Sequence, residues 1–231
     1  MESRKGIVLS SGGIDSTTCL AIAIDELGKD NVSSVSILYG QKHNKEVEQA
    51  QKIAEYYDID HYLIDLTNTG IFNNSNCSLL SGSKEEIGIG TYEEQIQENE
   101  IVNTYVPFRN GLFISAVASL ALSIYPDNEI GIYLGAHADD KAGAAYADCT
   151  PEFTKTIGKA VIYGTYGKVY LVSPLIDMIK SEVVAKGIEL KAPYELTWSC
   201  YEGGDKPCME CATCIDRSLA FWDMGINDPA L

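Results

Sequence analysis

A short run of small and polar residues near the start of the chain has the strongest chemical signature. The sequence SGGIDS, at residues 11–16, lies between an apolar run, 6–10, and a segment whose apolar residues have helical spacing, 17–27. A strand, a tight glycine turn and a helix in this order direct backbone N–H groups and the positive end of the helix dipole at one point. The paired glycines let an anion approach the backbone closely, and the serine hydroxyls add donors. The run therefore predicts a phosphate site.

The acidic residue of this loop predicts a cation. The loop is not a Walker A motif, which has four residues between its glycines and a Lys before its Ser or Thr. Asp15 would repel a polyphosphate unless Mg²⁺ lies between them. The alternative is an ordinary turn in which Ser16 caps the helix that follows. The full pattern resembles the pyrophosphate loop of the ATP-pyrophosphatase superfamily, whose enzymes split ATP between the α- and β-phosphates and adenylate a substrate oxygen.

Four of the seven cysteines lie close together near the end of the chain. Their spacing, with seven, two and two intervening residues, suits a single tetrahedral ion, and four thiolates satisfy Zn²⁺ with no open position for catalysis. We therefore predict a structural zinc that orders the tail against the main domain. The alternatives are cysteines that merely pack, or an iron–sulfur cluster. The predicted ligands are Cys200, Cys208, Cys211 and Cys214.

Other polar residues lie at the predicted starts of helices. Arg109 and Asn110 precede an apolar helix, 112–124, and a guanidinium binds phosphate or carboxylate strongly. The alternative for Arg109 is a cap or an ion pair at the domain edge. Lys180 begins another helix, where it either reaches pyrophosphate or is simply solvated.

A second group lies near the end of the predicted fourth strand. His137, Asp139 and Asp140 follow that strand and could hold a metal, or they could form the polar start of a helix. Asp148 and Cys149 occupy a turn, where packing or substrate contact is favoured over covalent catalysis by Cys149.

The alternation of strands and helices predicts an α/β fold with a doubly wound parallel sheet and a small helical zinc-binding tail. Residues 1–195 form the predicted main domain and 196–231 the tail. The stretch 69–104 interrupts the pattern with one lysine and six glutamates, and we interpret it as a lid or subunit contact rather than a passive insertion. Cys77, within it, is expected to be an exposed thiol. The predicted strands are 6–10, 33–39, 61–66, 130–134 and 168–172, and the helices 17–27, 43–57, 112–124, 151–162 and 180–190.

The charge of the chain limits its partners. The 33 acidic residues exceed the 17 basic ones and give a formal net charge of −16, which should repel nucleic acid backbones. We find no signal peptide and no apolar run of membrane-spanning length, so a cytoplasmic protein without membrane or nucleic acid partners is expected.

Several motifs together resemble one family over almost the whole chain. They are SGGIDSTTCL at 11–20, YGQKH at 39–43, VPFRN at 106–110, Asp148-Cys149, and TWSCY at 197–201 with the three later cysteines. This combination is similar to that of the 7-cyano-7-deazaguanine synthase family of the queuosine precursor pathway. The resemblance implies an adenine-nucleotide α-hydrolase-like fold, one structural Zn²⁺ per chain, Mg²⁺ with ATP, and a homodimer.

The resemblance also implies roles for individual residues. Asp15, Arg109 and Lys180 are the implied catalytic residues. A deazapurine pocket would involve Arg109, Asn110, His137, Asp139 and Asp148. The implied ATP-binding residues are Ser10, Ser11, Gly12, Gly13, Ile14, Asp15, Ser16, Thr17, Thr18, Cys19 and Leu20.

The reaction that the resemblance implies is the conversion of 7-carboxy-7-deazaguanine and ammonia to a nitrile with ATP, through adenylated intermediates and an amide. One alternative is a related enzyme that joins a deazaguanine to another amine. Another is a tRNA sulfurtransferase, which the net charge disfavours. A non-enzymatic zinc-knuckle binding module would leave the glycine loop unexplained.

Overall fold

The structure is a computed structural model that describes residues 4–98, 101–138 and 146–231. In these ranges the chain forms a parallel sheet in the order β3-β2-β1-β4-β5. Parallel neighbours need crossover connections, and helices supply them here. The predicted α/β doubly wound sheet is confirmed. Its strands are β1 Lys5–Leu9, β2 Val32–Leu38, β3 His61–Asp65, β4 Ile130–Tyr133 and β5 Val169–Val172.

Helices cover both faces of the sheet because successive residues of a strand point to opposite sides. In β1, Val8 packs in one core with residues of α1, α6 and α7, whereas Ile7 packs in a second core with residues of α4 and α5. The helices are α1 Ile14–Leu27, α2 Lys45–Tyr57, α3 Tyr92–Glu98, α4 Arg109–Ile124, α5 Pro151–Gly164, α6 Lys180–Glu189 and α7 Ala212–Asp223. Among the described residues, no helix is both long and apolar enough to cross a bilayer.

Helix α1 begins three residues earlier than the apolar spacing predicted, at Ile14 rather than at residue 17. Gly12, with φ of +82°, turns the chain, and Gly13 then occupies the N-cap position that was the alternative role for Ser16. A Cβ on Gly12 would lie 2.1 Å from the carbonyl oxygen of Glu46. Asp15 therefore lies in the first turn of the helix rather than in the loop.

The strand order opens a crevice beside the glycine loop. Strands β1 and β4 are neighbours, but the connections after them run in opposite directions, which is where ligands bind in open α/β sheets. The two loops lie close together, since a Cβ on Gly135 would be 3.0 Å from the carbonyl carbon of Asp15. The loops after β1 and β4 thus form the two sides of one site.

The stretch 69–104 packs on the C-terminal residues. Ile89 forms an antiparallel bridge with Cys211, and the Gly90 N–H donates to the Glu210 carbonyl oxygen at 3.0 Å. Cys77 is only 5% exposed and packs with Trp198 and the C-terminal cysteines. The prediction of an exposed thiol is wrong, because the segment folds back onto a region more than 100 positions later in the sequence.

A buried ion pair holds the end of the chain. Arg217, on α7, donates from Nη2 to Oδ1 of Asp228 at 2.8 Å and from Nη1 to Oγ1 of Thr197 at 2.9 Å. The Arg217 and Asp228 side chains are 6% and 3% exposed. A buried charge needs such partners, so this contact joins the last residues to the segment that enters the tail.

We expect Asp228→Ala to lower the free energy of unfolding by about 3–5 kcal/mol, because it leaves the Arg217 guanidinium buried without its counter-charge. Chemical denaturation measures the loss. Asp223→Ala removes an exposed carboxylate at the end of the same helix and should change stability by about 0.5 kcal/mol or less. Equal losses in the two variants would contradict the role given to the ion pair.

Candidate active site

The glycine loop leads directly into the first turn of α1. The Ser11 N–H donates to Ser16 Oγ at 3.2 Å, and the Ser16 hydroxyl lies 3.2 Å from the Gly13 carbonyl oxygen. These bonds, within the loop and to the first helical turn, hold the loop in shape. The first N–H groups of a helix have no acceptor within that helix. They lie at the positive end of the helix dipole. The arrangement suits a phosphate group.

Asp15 is paired with a cation from α6. Lys180 Nζ lies 2.7 Å from Oδ1 and 2.6 Å from Oδ2 of Asp15, and His137 Nε2 lies 3.7 Å from Oδ2. Burial alone would raise the pKa of Asp15, but the charges of Lys180 and His137 outweigh it and lower the pKa. Asp15 therefore stays ionised, and Lys180 lies beside the first turn of α1, next to the glycine loop, rather than in bulk solvent.

The start of α4 is held by the loop before α5. The Asn110 N–H donates to Asp148 Oδ2 at 2.8 Å, and Asn110 Nδ2 donates to the Asp148 carbonyl oxygen at 3.0 Å. Asp148 thus accepts from a first-turn N–H of α4, a position that the dipole favours for a carboxylate. The contact sets the direction in which α4 presents Arg109.

These groups surround one cavity of about 270 Å³ at the crevice. One side is the glycine loop with Asp15, Lys180 and His137, and the other side is mainly aromatic. The Tyr92 and Tyr201 hydroxyl oxygens lie 2.8 Å apart. The cavity therefore joins an anion-binding end to a wall suited to a flat ring. Its aromatic lining consists of Tyr39, Tyr92, Phe113, Tyr146, Trp198 and Tyr201.

Two opposite charges face the aromatic part of the cavity. Arg109 Nη1 donates to the Tyr39 hydroxyl oxygen at 3.2 Å, and its guanidinium lies 5.5 Å from the centre of the Tyr39 ring. Burial raises the pKa of Glu46 to about 7, although the charge of Arg109 acts in the other direction. Glu46 and Arg109 both line the cavity, yet no ion pair joins them among the described residues.

The structure brings together many of the residues singled out in the sequence. Lining the cavity are Ser10, Ser11, Gly13, Ile14, Asp15, Ser16, Arg109, Asn110, His137 and Lys180. Gly12 lies against α2, and Asp148 lies behind Asn110. Thr17, Thr18, Cys19 and Leu20 are fully buried in α1, away from the cavity lining. Asp139 and Asp140 lie outside the described residues.

The four C-terminal cysteines form a compact group whose Sγ atoms all lie within 4.8 Å of one another. Four sulfurs bound to one zinc at about 2.3 Å would be separated by about 3.8 Å, and the Cys208 and Cys214 Sγ atoms are 3.9 Å apart. The Cys208 and Cys211 N–H groups each donate to a sulfur of the group at 3.3 Å, to Cys200 and Cys208 respectively. The cluster can therefore hold a metal ion.

Half of the aromatic wall, and Glu46, lie outside the motifs that the sequence offers. Tyr39, Trp198 and Tyr201 belong to the motifs YGQKH and TWSCY, so the sequence carries a signal for them. Tyr92 lies in the polar stretch 69–104, and the sequence around Tyr146 has no helical or strand spacing. Glu46 has the sequence signature of an exposed helical residue, and only the packing of α2 against the glycine loop turns it inward.

The sheet order, the glycine loop and the two-part cavity define a pyrophosphate-loop, nucleotide-binding α/β protein. The model of one family, described as queuosine biosynthesis protein QueC, matches residues 5–225. The chain therefore belongs to the QueC family.

Full-length relatives agree with this family. A protein from Archaeoglobus fulgidus is 38% identical over 228 residues, which cover 98% of this chain and 90% of the relative. One from Thermoplasma acidophilum is 37% identical, with 99% and 92% covered. One from Oceanobacillus iheyensis is 36% identical, with 99% and 98% covered. Each is named 7-cyano-7-deazaguanine synthase, so the chain resembles enzymes over its whole length.

Proposed function

We propose that the protein converts 7-carboxy-7-deazaguanine, ammonia and ATP to 7-cyano-7-deazaguanine, AMP and pyrophosphate. The observation that carries this proposal is the single cavity in which the phosphate loop faces Arg109 and an aromatic wall. Such a cavity offers groups suited to phosphate at one end and flat aromatic surfaces beside a guanidinium at the other. The names of the full-length relatives support the same product.

The proposed reaction has two adenylations. An oxygen of the substrate carboxylate attacks the α-phosphorus of ATP and pyrophosphate leaves. Ammonia then adds to the acyl carbon, AMP leaves, and a proton is lost to give the amide. The amide oxygen attacks a second ATP with loss of pyrophosphate and one proton from the nitrogen, and departure of AMP and the second proton leaves the nitrile. Each substrate oxygen is a poor leaving group until it carries AMP.

The protein's part is to position the reactants and neutralise charge. The N–H groups at the start of α1 would bind the phosphates that leave as pyrophosphate, and Lys180 would balance their charge. Arg109 would hold the substrate carboxylate through charge-assisted hydrogen bonds. Mg²⁺ commonly uses one or two carboxylates together with substrate phosphates, so Asp15 fits as its protein ligand when it enters with ATP.

We infer that the metal of the cysteine cluster is a structural Zn²⁺. Four thiolates leave no open position for substrate. Sulfurs within 4.8 Å of one another suit one shared ion, whereas each iron of a cluster needs its own thiolate and the sulfurs would lie further apart. The cluster is also next to the cavity, because Thr213 and Asp216 of α7 line it.

We expect about two AMP and two pyrophosphate for each nitrile formed from the acid, with no ADP, because two oxygens must each be activated once. Supplied amide should require about one ATP. Chromatography of nucleotides and mass spectrometry of the deazaguanine products measure both ratios. Ammonium-free reactions are the control and should yield neither amide nor nitrile. ADP, or one AMP per nitrile from the acid, would contradict the mechanism.

A further inference from the structure

Glu46 is a carboxylate without a partner inside the cavity. It lies in the first turn of α2, which the glycine loop holds against the sheet. Its side chain lines the cavity, and among the described residues it makes no hydrogen bond and no ion pair. A desolvated carboxylate without donors is costly, as its pKa of about 7 also indicates. A ligand that brings donors would remove this cost.

Arg109 shows that the cavity keeps two opposite charges apart. Its guanidinium has five N–H donors, and the Tyr39 hydroxyl accepts one of them. Arg109 and Glu46 could neutralise each other, but no contact within 4.0 Å joins them. The pair suits a ligand that has an anionic group facing Arg109 and a cluster of N–H donors facing Glu46.

The aromatic wall indicates what shape joins these two groups. Tyr39 lies beside Arg109, and Tyr92, Tyr146 and Tyr201 line the same cavity. Their hydroxyls form a connected set, in which Tyr201 lies 2.8 Å from Tyr92 and 3.4 Å from Tyr146. Hydroxyls that bond to one another leave ring surfaces to contact the ligand. A planar heterocycle fits such walls better than a small cation does.

We propose that Glu46 recognises the guanine edge of the substrate by accepting hydrogen bonds from the ring N1–H and the 2-amino group. The inference rests on the proposed function and adds a specificity determinant to it. The two donors of a guanine are adjacent, and a carboxylate offers two oxygens with matching separation. Arg109 then faces the carboxylate of the same substrate. Glu46 thus selects 2-amino deazapurines and rejects those without the amino group.

The first experiment compares two substrates with the unaltered protein. One is 7-carboxy-7-deazaguanine, and the other is the same acid with hydrogen in place of the 2-amino group. Pyrophosphate release measures turnover, and titration calorimetry measures binding. Loss of one hydrogen bond to a charged acceptor should weaken binding and raise KM by about 10- to 100-fold. Equal KM values for the two acids would overturn the inference.

The second experiment removes the charge of Glu46. In Glu46→Gln, an N–H donor replaces one of the two acceptor oxygens that face the ring. The preference for 7-carboxy-7-deazaguanine over the acid without the amino group should therefore fall to about threefold or less. KM for ammonium should stay unchanged. Glu48→Gln changes an exposed carboxylate of the same helix and should keep the full preference. Zinc content and melting temperature verify folding, and if Glu46→Gln does not fold, the comparison of the two acids decides alone.

The outcomes separate this inference from the proposed function. If the unaltered protein releases no pyrophosphate with either acid, the proposed function fails. If it uses both acids equally well, the proposed function stands and the role of Glu46 is wrong. If Glu46→Gln raises KM for ammonium and leaves the preference between the acids intact, Glu46 holds the nitrogen donor instead, and the inference is also overturned.

Discussion

Cys208→Ser is expected to lower the melting temperature by about 10 °C or more and to remove the bound metal. A complete four-thiolate zinc site contributes ~10 kcal/mol or more to folding in small zinc domains. Loss of one ligand removes a large part of this free energy. Each kcal/mol of lost stability lowers the melting temperature of a domain of this size by about 2–4 °C. Elemental analysis should give about one zinc per chain for the unaltered protein.

Cys77 provides a matched control for the zinc prediction. It packs in the same apolar cluster as the four proposed zinc ligands but does not belong to the group of close sulfurs. Cys77→Ser should therefore retain the full zinc content and lose less stability than Cys208→Ser. If both variants keep their zinc, or if chelation removes zinc without a change in melting temperature, the structural role of the metal is wrong.

Asp15→Asn should lower kcat by about 100-fold or more while the protein stays folded, because the ion pair with Lys180 and the proposed Mg²⁺ ligand are lost together. Lys180→Met should have a loss of similar size. Both residues act on the same phosphates, so the double variant should lose less than the product of the two single effects. Steady-state pyrophosphate release and thermal melting measure activity and folding separately.

Lys186 is the control for the charge on α6. It forms an ion pair with Glu189 on the same helix, 3.0 Å between Nζ and Oε1, away from the cavity lining. Lys186→Met should leave kcat within about twofold, because the side chain does not line the cavity and a surface ion pair contributes little even to stability. Turnover at the unaltered rate in Asp15→Asn would show that this carboxylate has no role in the chemistry.

Features that depend on neighbours in the sequence were predictable. The glycine loop and its position between a strand and a helix follow from local backbone chemistry, and the structure differs only in starting α1 at Ile14. The cysteine spacing brings Cys208, Cys211 and Cys214 within reach of one ion through short turns. The parallel sheet followed from apolar strands that alternate with helices, since such strands need crossover connections. In each case the responsible residues lie within about one turn or one crossover of one another.

Features that depend on distant contacts required the fold. Cys77 became buried because the stretch 69–104 packs on the cysteine cluster, and nothing in its own sequence indicates that surface. Lys180 meets Asp15, 165 positions earlier, because α6 packs beside α1. Glu46 reaches the cavity because α2 packs against the glycine loop, where the Glu46 carbonyl oxygen lies next to Gly12. Amphipathic spacing indicates which side of a helix is apolar. It does not indicate which polar residue beside the apolar side lines a crevice, because the position of the crevice depends on how whole helices and strands pack.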